Sequence, residues 1–262
     1  MFALNCDRAY LYAHPEREIP ADELTRYEAA LVERAHGVPA QYITGHQEFW
    51  GLDLVVTPAV LIPRPETEHL VESVLELAAK VKSGEQGRRS HTTRPIKIVD
   101  VGTGSGCIAL ALATELPTAE IHASDISPQA LEIGRTNAAR LELGGRIQFH
   151  QADLLEGLDA SFDFVVSNPP YVGESEEDHV QLEVRKFEPR SAVFAGPTGL
   201  EVIRRLVPGA HAALRPGGWL VMEISGTIAE PTRELLRDWD QVFIVPDLQS
   251  IPRVVKARKS PA

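Results

Sequence analysis

The stretch after Pro95 constrains the fold more than any other part of the chain. From there to the C-terminus, short apolar segments of strand length alternate with longer segments of helical periodicity. IKIVDVG (96–102), AEIHASD (119–125), RIQFHQAD (146–153), FDFVVSNPPY (162–171), WLVMEI (219–224), QVFIVP (241–246) and IPRVVKARK (251–259) read as strands. Helices are expected over Ile108–Leu116, Ser127–Leu143, Leu200–Leu214 and Ala229–Trp239. Alternating β and α units imply an α/β fold with a mostly parallel, doubly wound sheet and right-handed crossovers. Only a short polar turn separates the last two strands, so these two must pair antiparallel. Ligands of such sheets sit at the carboxyl ends of the strands, which is where chemistry is sought.

The segment before Pro95 reads differently. Leu24, Tyr27, Leu31 and Ala35 fall at steps of three and four between Pro20 and Gly37, which predicts an amphipathic helix. QYITGHQEFWGLDLVVTP is β-prone on both sides of Gly51, so a hairpin is expected between Gln47 and Thr57. Pro65 opens a further helix, with Glu66 and Glu68 in its first turn. Ser83–Pro95, with Arg88 and Arg89, reads as an exposed loop. The resulting division is residues 1–45 as a small helical domain, 46–60 as a bridging hairpin and 61–262 as the main domain.

Composition excludes several classes. The longest apolar run, Cys107 to Ala113, is seven residues, where a membrane span needs about 20. Two cysteines are too few for a disulfide framework, and the nine histidines have no metal-ligand spacing. No metal, no membrane contact and a cytoplasmic location are expected, with a monomer as the working unit. A net charge of −11 argues against direct nucleic-acid binding, much of which comes from neutralising phosphates.

Gly102-Thr103-Gly104-Ser105-Gly106 follows the first strand of the alternating region. Glycines there permit a sharp turn and close approach of a ligand. Position 107 is Cys107, so the dinucleotide fingerprint is incomplete, and no Lys-Ser or Lys-Thr pair supports a P-loop. The next strand ends in Asp125, nineteen residues beyond Gly106, where a carboxylate can accept both hydroxyls of a ribose. The third ends in Asp153, placed to accept an adenine amino proton, and Leu154, placed to cover the ring. Each acid taken singly fits a helix cap equally well; as a set they resemble the S-adenosylmethionine site of class I methyltransferases, whose fold is a Rossmann-like, mostly parallel seven-stranded sheet.

After the fourth strand stands Ser167-Asn168-Pro169-Pro170-Tyr171. Two prolines remove two amide donors and fix two φ angles, leaving a stiff frame of carbonyl oxygens. The alternative is a plain loop initiator. The Asn168 side-chain oxygen and the Pro169 carbonyl can together accept both protons of a planar NH2 group. Holding those protons to one side favours pyramidalisation and aims the lone pair at an electrophilic methyl, with Tyr171 packing against the acceptor. Glu223 either lines the same pocket or is a strand-end surface acid. Arg64 and Glu66 either pair over the mouth or cap a helix.

Such a turn serves any planar nitrogen, adenine N6 included. Residues 172–190 carry six acids against three bases, a poor cradle for a flipped nucleotide. A protein acceptor fits better. An adenine-N6 DNA or RNA methyltransferase is the alternative enzyme, and a cofactor-binding scaffold without turnover the alternative outside enzymes.

QYITG (41–45), EFWG (48–51), LIPRPETE (61–68), DVGTGSG (100–106), SNPPY (167–171) and FEPR (187–190) are together similar, in order and spacing, to the PrmC/HemK protein-(glutamine-N5) methyltransferases. The resemblance runs from about Leu11 to Ala257. It implies methyl transfer from S-adenosyl-L-methionine to the glutamine of the Gly-Gly-Gln motif in peptide chain release factors. It also implies that Gly102 to Gly106, Asp125, Leu154 and Asn168 contact the cofactor and that Asn168, Pro169, Pro170 and Tyr171 hold the glutamine amide. The helical 1–45 segment, shortened relative to the family, would dock a second surface of the release factor.

Overall fold

The computed structural model describes residues 2–83, 94–158 and 161–261. Three helices, α1 (Arg8–Ala13), α2 (Ala21–Ala35) and α3 (Ala40–Thr44), lead into a hairpin of β1 (His46–Phe49) and β2 (Leu52–Val55). None of these helices contains a buried residue. The apolar face of α2 is instead half-exposed at Leu24, Tyr27 and Leu31. The hairpin turns at Trp50-Gly51, as the β-prone sequence around Gly51 implies, and pairs Phe49 with Leu52 at its tip.

A short 3-10 turn over Pro65–Thr67 runs into α4 (Glu68–Ser83). Residues 84–93, most of the expected 83–95 loop with its Arg88 and Arg89, lie outside the described residues. The alternating region then gives β3 (Lys97–Val101), α5 (Cys107–Glu115), β4 (Glu120–Asp125), α6 (Pro128–Arg140), β5 (Ile147–Gln151) and β6 (Phe162–Ser167). After β6 come α7 (Leu182–Phe187), α8 (Arg190–Val193), α9 (Glu201–Ala213), β7 (Leu214–Glu223), α10 (Ala229–Leu235), β8 (Gln241–Pro246) and β9 (Pro252–Arg258).

The main sheet has seven strands in the order β5-β4-β3-β6-β7-β9-β8. The first five strands in that order are parallel, and β9 is antiparallel to both β7 and β8. The chain therefore passes β7, forms β8 at the sheet edge and returns through β9 into the gap. The sequence marks which strand lies inside: β9 buries Val254, Val255 and Ala257, whereas β8 alternates exposed Gln241 and Phe243 with half-buried Val242 and Ile244.

Period-two alternation divides the core between the two faces. Ile98, Ile121, Phe164 and Val221 pack with α4 and α5 on one side, while Val99, Val165, Leu220 and Val255 pack with α9 and α10 on the other. The hairpin is clipped to this body by Asn137 of α6, a fully buried side chain. Its Nδ2 donates to the carbonyls of Val55 and Ser105 at 3.0 and 2.9 Å, and its Oδ1 accepts from Val55 N at 2.7 Å. One amide thus ties the hairpin to the glycine loop.

Candidate active site

The glycine loop is folded back over the end of β4. Gly102 N and Thr103 N both donate to Ser124 O, at 2.8 and 2.9 Å. Gly102 and Gly104 have φ of 71° and 55°, and a Cβ added to either meets nothing within 4 Å. The absent side chains leave open space above the backbone, which is the cradle a ligand pressed against the loop needs. Beneath it, Asp100 is fully buried, with Oδ2 accepting from Thr103 Oγ1 at 2.6 Å and Oδ1 unpartnered. Burial lifts its carboxyl to about 7.

Asp125 is held between the glycine loop and the start of α6, where Ser127 and not Asp125 is the cap. Its Oδ2 accepts from Gly104 N and its Oδ1 from Ser127 N, each at 2.9 Å. Ser127 is the cap of α6, its Oγ accepting from Ala130 N at 3.2 Å. Burial raises the Asp125 carboxyl, and the backbone donors from Ser127 and Gly104 oppose that rise. Each oxygen keeps lone-pair capacity for a ribose hydroxyl. Asp153 is bound through Oδ2 to Arg205 Nη2 at 2.6 Å, leaving Oδ1 as its acceptor. Leu154 adopts φ 57°, and its carbonyl accepts from Ser124 Oγ at 2.8 Å. Cys107 also borders the space; burial pushes its thiol up to about 12, so it stands there as an uncharged group.

The Asn-Pro-Pro-Tyr turn leaves β6 beside this loop. Ser167 Oγ donates to Val101 O at 2.8 Å and fixes the two strand ends together. Asn168 Nδ2 donates to Thr67 Oγ1 at 3.1 Å, and Thr67 Oγ1 donates to Glu223 Oε2 at 2.6 Å. Tyr171 Oη donates to the other oxygen, Glu223 Oε1, at 3.1 Å. Thr67 and Glu223 are each 1% exposed. Glu223 is thus neither a surface acid nor a wall of the pocket; it lies behind Thr67. Tyr171 departs from the ring-against-acceptor expectation: its hydroxyl is held inward by Glu223, and its ring packs against the core beside α9 and β7. Burial and the adjacent Glu223 both push the phenol up, so it stays protonated.

The segment after the turn is pinned over the mouth. Arg64 pairs with Glu188, Nη2 to Oε1 at 2.6 Å, and Glu188 Oε2 accepts from Ile62 N at 3.2 Å. Arg64 therefore does not pair with Glu66, which remains exposed in the 3-10 turn. Val172 lies along Phe194, with Val172 N donating to Val193 O and Ala195 N to Val172 O. Gly199, at φ 78°, packs so closely that a Cβ would stand 2.4 Å from the Tyr171 carbonyl. The acidic character of 172–190 is largely neutralised within the molecule: Glu177 pairs with Arg190, Asp178 with Arg185, Glu183 with Arg34 and Glu188 with Arg64.

These parts enclose one cavity of about 400 Å³. Of the expected residues, Gly102, Thr103, Gly104, Ser105, Asp125, Asp153, Leu154, Asn168 and Pro170 line it. Gly106 stands one step back as the cap of α5, and Pro169 and Tyr171 are not among the lining residues. Thr67, Arg64 and Ala192 also line it, Thr67 inside a motif quoted above without an individual role. The volume is within the range of small-molecule cofactor sites. Acceptors at Asp125 and Asp153 and the open loop match a ribose, an adenine amino group and a close-lying chain, so the residues present fit S-adenosylmethionine. Among the described residues, no group of three or more His, Cys, Asp or Glu side chains is arranged to hold a metal ion.

Comparison with known proteins finds relatives along nearly the whole chain. A family profile described as the methyltransferase small domain matches residues 89–186, and one described as the PrmC N-terminal domain matches residues 1–45. Release factor glutamine methyltransferase of Koribacter versatilis is 55% identical over 261 residues, covering 99% of this chain and 88% of that protein. The protein of the same name from Xylella fastidiosa is 40% identical over 98% of this chain and 90% of its own length. Among solved structures, the hMettl16 catalytic domain in complex with an RNA hairpin superposes with a TM-score of 0.62 at 18% identity, covering 97% of this chain and 93% of that one. The T. thermophilus 16S rRNA N2 G1207 methyltransferase in complex with AdoMet and guanosine gives 0.56 at 21%, covering 82% and 49%. At those identities the two structures speak for the fold alone. Relatives so similar along nearly the whole length place the chain in the release factor glutamine methyltransferase family.

Proposed function

We propose that the chain transfers the methyl of S-adenosyl-L-methionine to the side-chain amide nitrogen, N5, of the glutamine in the Gly-Gly-Gln motif of peptide chain release factors. The observation that carries this reading is the Asn168 amide. Its nitrogen is engaged by Thr67, which leaves Oδ1 as the acceptor beside the glycine loop. An amide nitrogen is a poor nucleophile because its lone pair is delocalised. Asn168 Oδ1 and the Pro169 carbonyl would bind its two protons, turn the lone pair toward the methyl and weaken that delocalisation. When bound, the cofactor would supply a sulfonium-activated methyl with a neutral thioether as leaving group. The amide nitrogen would gain the N–C bond as the S–C bond breaks and then release one proton to water. Orientation alone is worth about 7–11 kcal/mol in well-aligned intramolecular reactions.

No strong base is assigned. Glu223 is closed off by Thr67 and Tyr171, so it shapes the turn and does not take the substrate proton. Gly102 to Gly106 would seat the methionine moiety, Asp125 the ribose, and Asp153 with Leu154 the adenine. We assign Asn168, Pro169 and Pro170 to the glutamine amide, with Tyr171 bracing them from behind. Residues 1–45 would form the docking domain and 46–60 its bridge. The apolar groove lined by Phe2, Leu11, Ile19, Tyr27 and Leu31 supports a protein partner there. A monomer is the working unit of this reading, and its substrate would place it in the cytoplasm. No helix among the described residues is long and apolar enough to cross a membrane.

Labelled cofactor offered together with a release factor and with duplex DNA or RNA tests the reading. Label is expected in the protein alone. Label entering adenine, with strong salt dependence, would transfer the assignment to the adenine-N6 reaction.

A further inference from the structure

A chain of hydrogen bonds reaches the reactive turn through Thr67, a residue given no role of its own above. Thr67 comes from the 3-10 turn before α4, Glu223 from the end of β7, and Asn168 and Tyr171 from the turn after β6. Three separate elements therefore meet behind one side chain. We propose that Thr67, backed by Glu223, is a positioning residue that fixes which end of the Asn168 amide faces the cavity.

The argument is one of donor and acceptor count. A carboxylate accepts only, so at 2.6 Å from Glu223 Oε2 the Thr67 hydroxyl must give its single proton to Glu223. What remains on Thr67 Oγ1 is lone pairs. It can accept from Asn168 Nδ2 at 3.1 Å, and it would repel Oδ1 if the amide were turned over. The two orientations of an asparagine amide have nearly the same shape, so packing cannot choose between them; a neighbour of fixed polarity can. Tyr171 Oη donates to the second carboxylate oxygen at 3.1 Å, so Glu223 receives a proton from each side and keeps its role as acceptor. Burial raises the Glu223 carboxyl above its ordinary value, while the hydrogen bonds from Thr67 and Tyr171 and the charge of Arg253 favour its ionised, accepting form and Glu66 opposes it.

The turned-over amide would present donors to a substrate NH2 that also has only donors to offer. That pose is unproductive, so Thr67 matters for the rate of transfer and little for cofactor affinity. This inference rests on Asn168 accepting the substrate amide.

The test compares Thr67→Val, which keeps shape and removes the hydroxyl, with Thr67→Ser, which restores it. Full-length protein is assayed in steady-state methylation of a release factor at saturating substrate and cofactor. Cofactor dissociation constants and melting temperatures are measured alongside, with Thr67→Ala as a second variant should the valine protein not fold. The expectation is a loss of roughly tenfold in kcat for Val, the effect of about one buried hydrogen bond. Cofactor affinity should stay within about twofold and Ser should recover the rate. In an Asn168→Ala background Thr67→Val should cost nothing further. Wild-type kcat in Thr67→Val, no recovery with Ser, a parallel loss of cofactor affinity, or an undiminished effect in the Asn168→Ala background would each overturn the inference. An Asn168→Ala protein with unimpaired transfer would instead remove the reading on which it rests.

Discussion

At the scale of the residue, Asn168 and Asp100 present opposite cases. The Asn168 side chain is held by one partner, Thr67, and its replacement disturbs little besides the reaction. Asn168→Ala is expected to lower kcat by about 10²–10³, the usual effect of removing one preorganised polar group from a reacting centre. Cofactor binding, followed by titration calorimetry, should fall much less. Asp100 has no such direct place, yet it carries a pH signature. Its buried carboxyl, with one oxygen unpartnered, is raised to about 7 from an ordinary value of 3.8. A raised acid binds its proton more tightly folded than unfolded. The stability it contributes is therefore complete below about pH 4 and is lost as pH rises through about 7. Chemical denaturation at about pH 5.5 and about pH 8 should show Asp100→Asn gaining on the wild type at the higher pH. A difference that is the same at both values would contradict the assignment.

At the scale of the element, two clamps hold the cavity walls. The buried Asn137 side chain makes three hydrogen bonds linking α6 to β2 and the glycine loop. Asn137→Ala leaves several backbone groups unsatisfied at once and should cost about 2–4 kcal/mol of unfolding free energy, measured by urea titration. Gly199 is the second clamp. With a Cβ 2.4 Å from the Tyr171 carbonyl, Gly199→Ala must push the reactive turn away, so methyl transfer should fall sharply while the protein still binds cofactor. The strands and the Asn-Pro-Pro-Tyr turn were legible in the sequence because each is written in neighbouring residues: alternation, two prolines, a short polar turn between β8 and β9. The clamps were not. Thr67 and Glu223 are 156 positions apart, and Val55 and Asn137 are 82 apart, so no local pattern relates them. Glu223 reads equally as a surface acid until the fold buries it, and Arg64 has an acid two residues away yet pairs with one 124 positions off. Likewise, that β9 rather than β8 joins β7 follows from which strand is buried on both faces, and the antiparallel pairing alone does not decide it.

At the scale of the whole molecule, the cavity is shared between a wall from the sheet ends and a cover from residues 59–64 and 189–195. The N-terminal helices reach α7, just before the second of these segments, through Arg34 and Glu183, paired at 2.8 Å. With both side chains substantially exposed, the pair is worth at most about 1 kcal/mol, so Arg34→Ala should leave the melting temperature almost unchanged. The net charge of −11 is informative for the chain as a whole but weaker beside the turn, where four of the six acids are already paired. The most direct test of the whole account is the mass of the Gly-Gly-Gln peptide, cut from a release factor after incubation with the protein and S-adenosyl-L-methionine. A gain of one methyl group, located by fragmentation on the glutamine side chain and abolished by Asn168→Ala, is the predicted result. An unmodified glutamine in the full-length factor, with active cofactor present, would contradict it.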